Sequence, residues 1–171
     1  MVDRALVDTL NFNSHDFAVK WKDRIRKTPH LKHYQTLDDE ALKELNMSFY
    51  PLLARCLERG MDRQVIGDFF VRLGKATMGE GLPISEVIYA VNLTQKTVLE
   101  YIMTDFAPES PLRMYQSMGL VTQVSEFFLL GTFYLIKGFL EQTYVHMNST
   151  DHVSEELLKK YFRDDFFFKK D

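Results

Sequence analysis

The chain has 171 residues, a formal net charge of −3 and 46% hydrophobic side chains. That length fits one domain, and the balance of apolar to charged residues is that of a soluble globular protein. It excludes a wholly disordered chain and a strongly basic nucleic-acid-binding surface. A single cysteine, Cys56, excludes an internal disulfide and a cysteine-based zinc site.

The first residues, Met1 to Asp8, hold acids and no long apolar run, so they are not a secretory signal. A short first helix is predicted over 3–10. Asn13 and Ser14 offer caps for a second over 14–28, where Phe17, Trp21 and Ile25 recur four apart on one face. Pro29 ends it, and His30 to Thr36 reads as a loop. Asp38 and Asp39 open a helix carrying Leu42, Leu45, Phe49, Leu52, Leu53 and Cys56, which Gly60 terminates. Pro51 should kink or split it near Tyr50. Asp62 starts another helix, with Val65, Ile66, Phe69, Phe70 and Leu73, ending at Gly79 or Gly81.

Pro83 suits the first turn of the next helix. Its apolar stripe runs through Ile84, Val87, Ile88, Val91, Val98 and Ile102, and Gln95 interrupts it. Pro108 and Pro111 break the chain. No strong breaker follows until about 147, which predicts one helix of about 36 residues, roughly 54 Å long. After a turn at 148–153, Ser154 can cap a last helix through about Phe162. No strand pattern appears. The reading is all-α: a helical domain over 1–147, globin-like or an up-down bundle of about six or seven helices, with a helical tail over 148–171.

The stretch from Phe127 to Leu140 is apolar nearly all round but contains Lys137, and it is shorter than the roughly 20 residues that span a bilayer. It reads as a buried helix of a cytoplasmic protein, covered on several sides. Gly131 and Gly138 share one face and admit another backbone. Two coverings stay open: an intramolecular crossing, or a symmetric dimer. The candidate dimer or relay face is Phe127, Phe128, Gly131, Leu135 and Gly138. A candidate ligand pocket lies between the helices carrying Phe69, Phe70 and Gln95, where a stripe of Phe and Val would accept a small apolar molecule.

The sequence carries no catalytic constellation: no GxSxG elbow, no GxxxxGK[ST] loop, no HExxH and no ExxH pair. No enzyme activity, metal or cofactor is expected. His30 and His33 read as a solvated pair and His146 as a cap at a helix C-terminus. Cys56 reads as core. The basic run Lys20 to Lys27 reads as a solvated face. The consecutive phenylalanines 166–168 cannot share one helix face, so some must pack on the domain or meet a partner.

Three pieces together resemble a family: Phe49-Tyr-Pro-Leu-Leu with Cys-Leu-Glu-Arg-Gly60, Gly67-Asp-Phe-Phe-Val-Arg-Leu-Gly74, and Gly81-Leu-Pro-Ile-Ser-Glu-Val-Ile-Tyr-Ala-Val91. They look like the N-terminal sensor domain of RsbT co-antagonist (RsbR-type) proteins, similar to domains found ahead of bacterial sensor histidine kinases. The resemblance covers about residues 14 to 147. It implies a non-catalytic helical input domain, usually dimeric, that hands a signal through its last long helix to an output domain or a downstream signalling protein. No STAS domain, kinase core or DNA-binding domain is read after 147, so the expectation is an input domain apart from its output. The alternatives are a globin-like haem or other cofactor sensor, and a peripheral membrane-associated regulator using the basic helix and aromatic tail. No histidine sits mid-helix on an apolar stripe, which argues against the first.

Overall fold

The computed structural model describes residues 4–150 together with Ser154 and Glu156. The predicted tail helix and the phenylalanines 166–168 otherwise lie outside the described residues. Among the described residues seven α-helices follow in order: α1 (Arg4–Phe12), α2 (Ser14–Arg26), α3 (Asp39–Met47), α4 (Phe49–Arg59), α5 (Arg63–Gly79), α6 (Ile84–Tyr101) and α7 (Pro111–Asn148). Tyr34–Thr36 forms a 3-10 turn. No strand occurs among the described residues, and the chain is an all-α helical bundle.

The boundaries follow local chemistry. Asp38 accepts a hydrogen bond from Ala41 N at 2.8 Å, Asp62 from Gln64 N at 2.9 Å, and Ser110 from Arg113 N at 3.2 Å. Each satisfies an amide that a helix start leaves unpaired. Asn13 makes no such side-chain bond. The break beside Pro51 falls at Ser48, slightly earlier than the expected Tyr50, because Pro51 then lies in the first turn of α4, where its missing N–H leaves no gap in the ladder. Gly60 closes α4 at φ 100°, a conformation that favours glycine. Before Pro108 the chain loosens from α6 into a π turn (Ile102–Phe106) and a 3-10 turn (Ala107–Glu109). Pro108 has no N–H to continue the α ladder.

The main core gathers residues of α1, α2, α4, α5, α6 and α7 around Phe17, Tyr50, Phe70 and Phe127. Five phenylalanines, Phe49, Phe69, Phe70, Phe127 and Phe128, meet edge to face with ring centroids 5.1 to 5.7 Å apart. This is the geometry that aromatic quadrupoles favour. A second cluster holds the loop after α2 in place: Trp21, Ile25, Leu31, Tyr34, Leu42 and Ala90.

The most extensive helix pairing is α5 against α7. Phe70 meets Gly131, Val71 meets Gly138, and Gly74 meets Leu135 and Phe139, so partners advance together and the helices run parallel. A Cβ on Gly74 would collide with the Leu135 carbonyl, and one on Gly138 with the Val71 carbonyl. Glycine at both positions is what lets the backbones touch. Lys75 and Glu141 add an ion pair across the crossing at 2.9 Å.

This resolves the two coverings of the long helix. Phe127, Phe128, Gly131, Leu135 and Gly138 are all buried inside the protomer by α5 and its neighbours. They are therefore not a free dimer face in this fold, because the same surface cannot seat α5 and a second subunit together.

The glycines separate cleanly in a mutational test. Gly74→Ala and Gly138→Ala meet backbone, which cannot rotate away, and each should lower stability by about 1–3 kcal/mol in urea unfolding. Gly119, also in α7, has open space where an alanine methyl would sit, with nothing within 4 Å. Gly119→Ala should stabilise by about 0.5–1 kcal/mol. Equal effects at all three positions would contradict the crossing.

Candidate functional site

Two surfaces stand out: a cavity with an adjoining groove, and the outer face of α7. Both are built on helices that the glycine crossing holds together.

The cavity is about 70 Å³. Trp21 of α2, Tyr34 of the 3-10 turn, Phe49 of α4, Leu73 and Thr77 of α5, and Val91 of α6 line it, among others. It exists because α5 makes its long contact with α7 and touches α6 only sparingly. Glu80, which caps α5, closes one side. An open groove continues from it, sharing Leu45, Leu73 and Glu80 and adding Glu44, Phe69 and Arg72.

Beside the cavity runs a buried chain of hydrogen bonds. Tyr50 donates its hydroxyl to Asn46 Oδ1, Asn46 Nδ2 donates to Thr94 Oγ1 at 2.8 Å, and Thr94 donates to the Ala90 carbonyl at 3.2 Å. Trp21 Nε1 donates to the same carbonyl at 2.9 Å. The chain ties α2, α3, α4 and α6 together, and each buried polar side chain finds a partner. Burial pushes the phenols of Tyr34 and Tyr50 well above their ordinary pKa; the carboxylates of Glu86 and Glu80 add to this at Tyr34.

The residues expected to form one pocket separate. Phe70 is fully buried in the aromatic cluster, and Phe69 lines the open groove. Gln95 lies on another surface, with Lys96, Leu99 and Met103. The buried polar positions of α6 are Thr94, one residue earlier, and Thr97, and the buried amide is Asn46 of α3. Spacing suggested Gln95 because it sits among apolar residues, yet Thr94 completes the inward face with Val87, Ala90, Val91, Thr97 and Val98.

Other sequence candidates resolve locally. Cys56 is buried, and burial pushes its thiol above its ordinary pKa. The basic run is engaged with acids of the same chain rather than simply solvated. Lys22 reaches Asp39 at 3.3 Å, Arg24 grips Glu100 with both terminal nitrogens, and Arg26 holds Asp39 at 2.8 Å and the Leu37 carbonyl at 2.6 Å. The guanidinium of Arg24 holds the Glu100 carboxyl below its usual range, and the Arg26 guanidinium and then the Lys22 ammonium do the same for Asp39. His33 pairs with Glu86 at 2.9 Å while His30 packs edge-on to Tyr89, so the two imidazoles serve different neighbours. Among the described residues no group of three or more His, Cys, Asp or Glu is placed to hold a metal ion.

The outer face of α7 carries Tyr115 at 78% exposure, Met118 at 72%, Leu129 at 74% and Phe133 at 53%. With the half-buried Ile136 and Leu140 they lie on one face at helical spacing, in two parts separated by the exposed Thr122 and Glu126. Among the described residues α7 is the one helix long and apolar enough to cross a membrane by length and composition. Its inner side is already packed on α5. No family model, no curated protein and no solved structure matches the chain.

The polar chain predicts an asymmetry between two amides. Asn46→Ala strands the Tyr50 hydroxyl and removes a partner of Thr94, and should cost about 1–3 kcal/mol in denaturant unfolding. Gln95→Ala should change stability by less than about 0.5 kcal/mol. A larger loss at Gln95 would reverse the assignment of α6's inner face.

Proposed function

We propose that this chain is a non-catalytic signal-input domain of the cytoplasm. It acts as a homodimer and relays its state through α7 to a downstream signalling protein or output domain. The observation that carries this reading is the two-sidedness of α7: one face locked to α5, the opposite face apolar and open. Monomeric soluble proteins rarely leave contiguous apolar patches beyond a few hundred Å². The stripe falls in two apolar parts, Tyr115 with Met118 and Leu129 through Leu140, with Thr122 and Glu126 exposed between them, and an interface with a second copy has such an apolar core and polar remainder. The resemblance of the α4–α6 segments to RsbR-type sensor domains agrees with this role.

The dimer face is accordingly the outer stripe, Tyr115, Met118, Leu129, Phe133, Ile136 and Leu140, and not the glycine face. A lipid surface is a poorer occupant. Interfacial helices draw on several Lys and Arg residues beside the apolar face, whereas α7 holds only Arg113 and Lys137, and Arg113 pairs with Glu109.

Sedimentation equilibrium tests this. The full chain should be a dimer at micromolar concentration, and Phe133→Glu or Leu129→Glu should raise its dissociation constant at least about 100-fold, as loss of a buried apolar anchor does. Both positions are exposed in the protomer, so the variants should keep the wild-type helical circular dichroism. A wild-type chain that stays monomeric, or that instead co-sediments with anionic vesicles, would overturn the reading.

A further inference from the structure

The cavity and its groove have a shape and charge that select a ligand. The cavity, about 70 Å³ and partly open to solvent, is walled mainly by apolar side chains. That is about half the 150 Å³ of an engineered cavity that holds benzene, a size that suits an unbranched tail of about three or four carbons. The groove at its mouth is charged: Glu44 and Glu80 against a single base, Arg72. Arg72 donates its Nε to the Asp68 carbonyl at 3.0 Å, which turns part of the guanidinium back along α5. The bases of α2, Lys22, Arg24 and Arg26, line neither the cavity nor the groove and pair with Asp39 and Glu100. The Glu80 and Glu86 carboxylates also act on Tyr34 in the cavity wall. A hydrocarbon tail ending in a cation matches this arrangement, whereas a carboxylate head would face like charge.

We propose that the cavity and groove bind a short-chain primary amine, its alkyl tail between Trp21, Leu73 and Val91 and its ammonium group at Glu80. The site goes beyond the dimer reading and does not depend on it. Its wall on α5, Leu73 and Thr77, flanks Gly74 of the α7 crossing, so an occupied cavity braces the helix that positions α7.

Trp21 is the only tryptophan of the chain and lines the cavity, so its fluorescence reports occupancy. The full chain is titrated at pH 7 and constant ionic strength with n-butylamine, n-butanol and sodium butyrate. Butylammonium should give a saturable change in Trp21 emission, with n-butanol about two- to fivefold weaker, the effect of one exposed charge pair, and butyrate weaker still. Glu80→Gln lies on the surface and should fold normally; it should bring the amine down to the level of the alcohol. Ala76→Leu, which narrows the cavity, should weaken amine and alcohol alike. The proposal is overturned if all three probes act equally, if Glu80→Gln keeps the amine preference, or if Trp21 never responds. These readings concern Trp21 and not subunit count, so failure here and failure of the dimer are distinguishable.

Discussion

The close approach of α5 and α7 at Gly74 and Gly138 governs the rest of the molecule. Where two backbones touch, no side chain can be interposed, and the helix register is fixed by sterics rather than by adjustable packing. The register sets Phe70 over Gly131 and brings Phe70 and Phe127 together within the aromatic cluster. It also aligns Lys75 with Glu141. Once that face of α7 is used, the opposite face, with Leu129 and Phe133, is left to solvent.

The same contact places α5 between two environments. Phe70, Val71 and Gly74 look toward α7, while Leu73, Ala76 and Thr77 line the cavity. Adjacent residues of one helix thus touch both the proposed ligand space and the proposed relay element. A signal-input role needs such an element, because a ligand shifts an equilibrium only by as much as it distinguishes two states. The Asn46–Thr94 chain and the Arg24–Glu100 pair fasten α2, α3, α4 and α6 to one another. The side of the cavity away from α5 is therefore cross-braced by polar bonds, and α5 is attached mainly by apolar packing.

Much of this was legible in the sequence. Glycine, proline and acidic caps marked the helix limits because those signals are local: Asp38, Asp62 and Pro111 act within one turn. The all-α class and the single long helix followed from the same signals. The facing of that helix was not legible. Phe127 to Leu140 is apolar on nearly every side, so periodicity gives no preferred direction, and Gly131 and Gly138 indicate close approach without naming the partner. The cavity was equally hidden. Its walls come from α2 through α6, and no single stretch carries a signature. Gln95 misled for a physical reason: an amide among apolar residues suggests burial, yet a one-residue offset is a rotation of about 100° around a helix. Asn46 lies between Leu45 and Met47, four residues after Leu42 and three before Phe49, so it shares the inward face of its helix just as Thr94 shares that of α6; what the sequence does not carry is the meeting of this amide with Thr94 across the core.

The claim that α7 faces α5 on one side and a second copy on the other is tested most directly by a distance between copies. A single spin label at Glu126, exposed on the outer face between Met118 and Leu129, in a Cys56→Ser background, reports that distance by double electron–electron resonance. Two α7 helices packed through their outer faces, with axes about 8–10 Å apart, should give one narrow, short intermolecular distance. A label at Ser85, exposed at the start of α6, should give a longer one. Absence of any intermolecular coupling at Glu126, or a shorter distance at Ser85, would contradict the account.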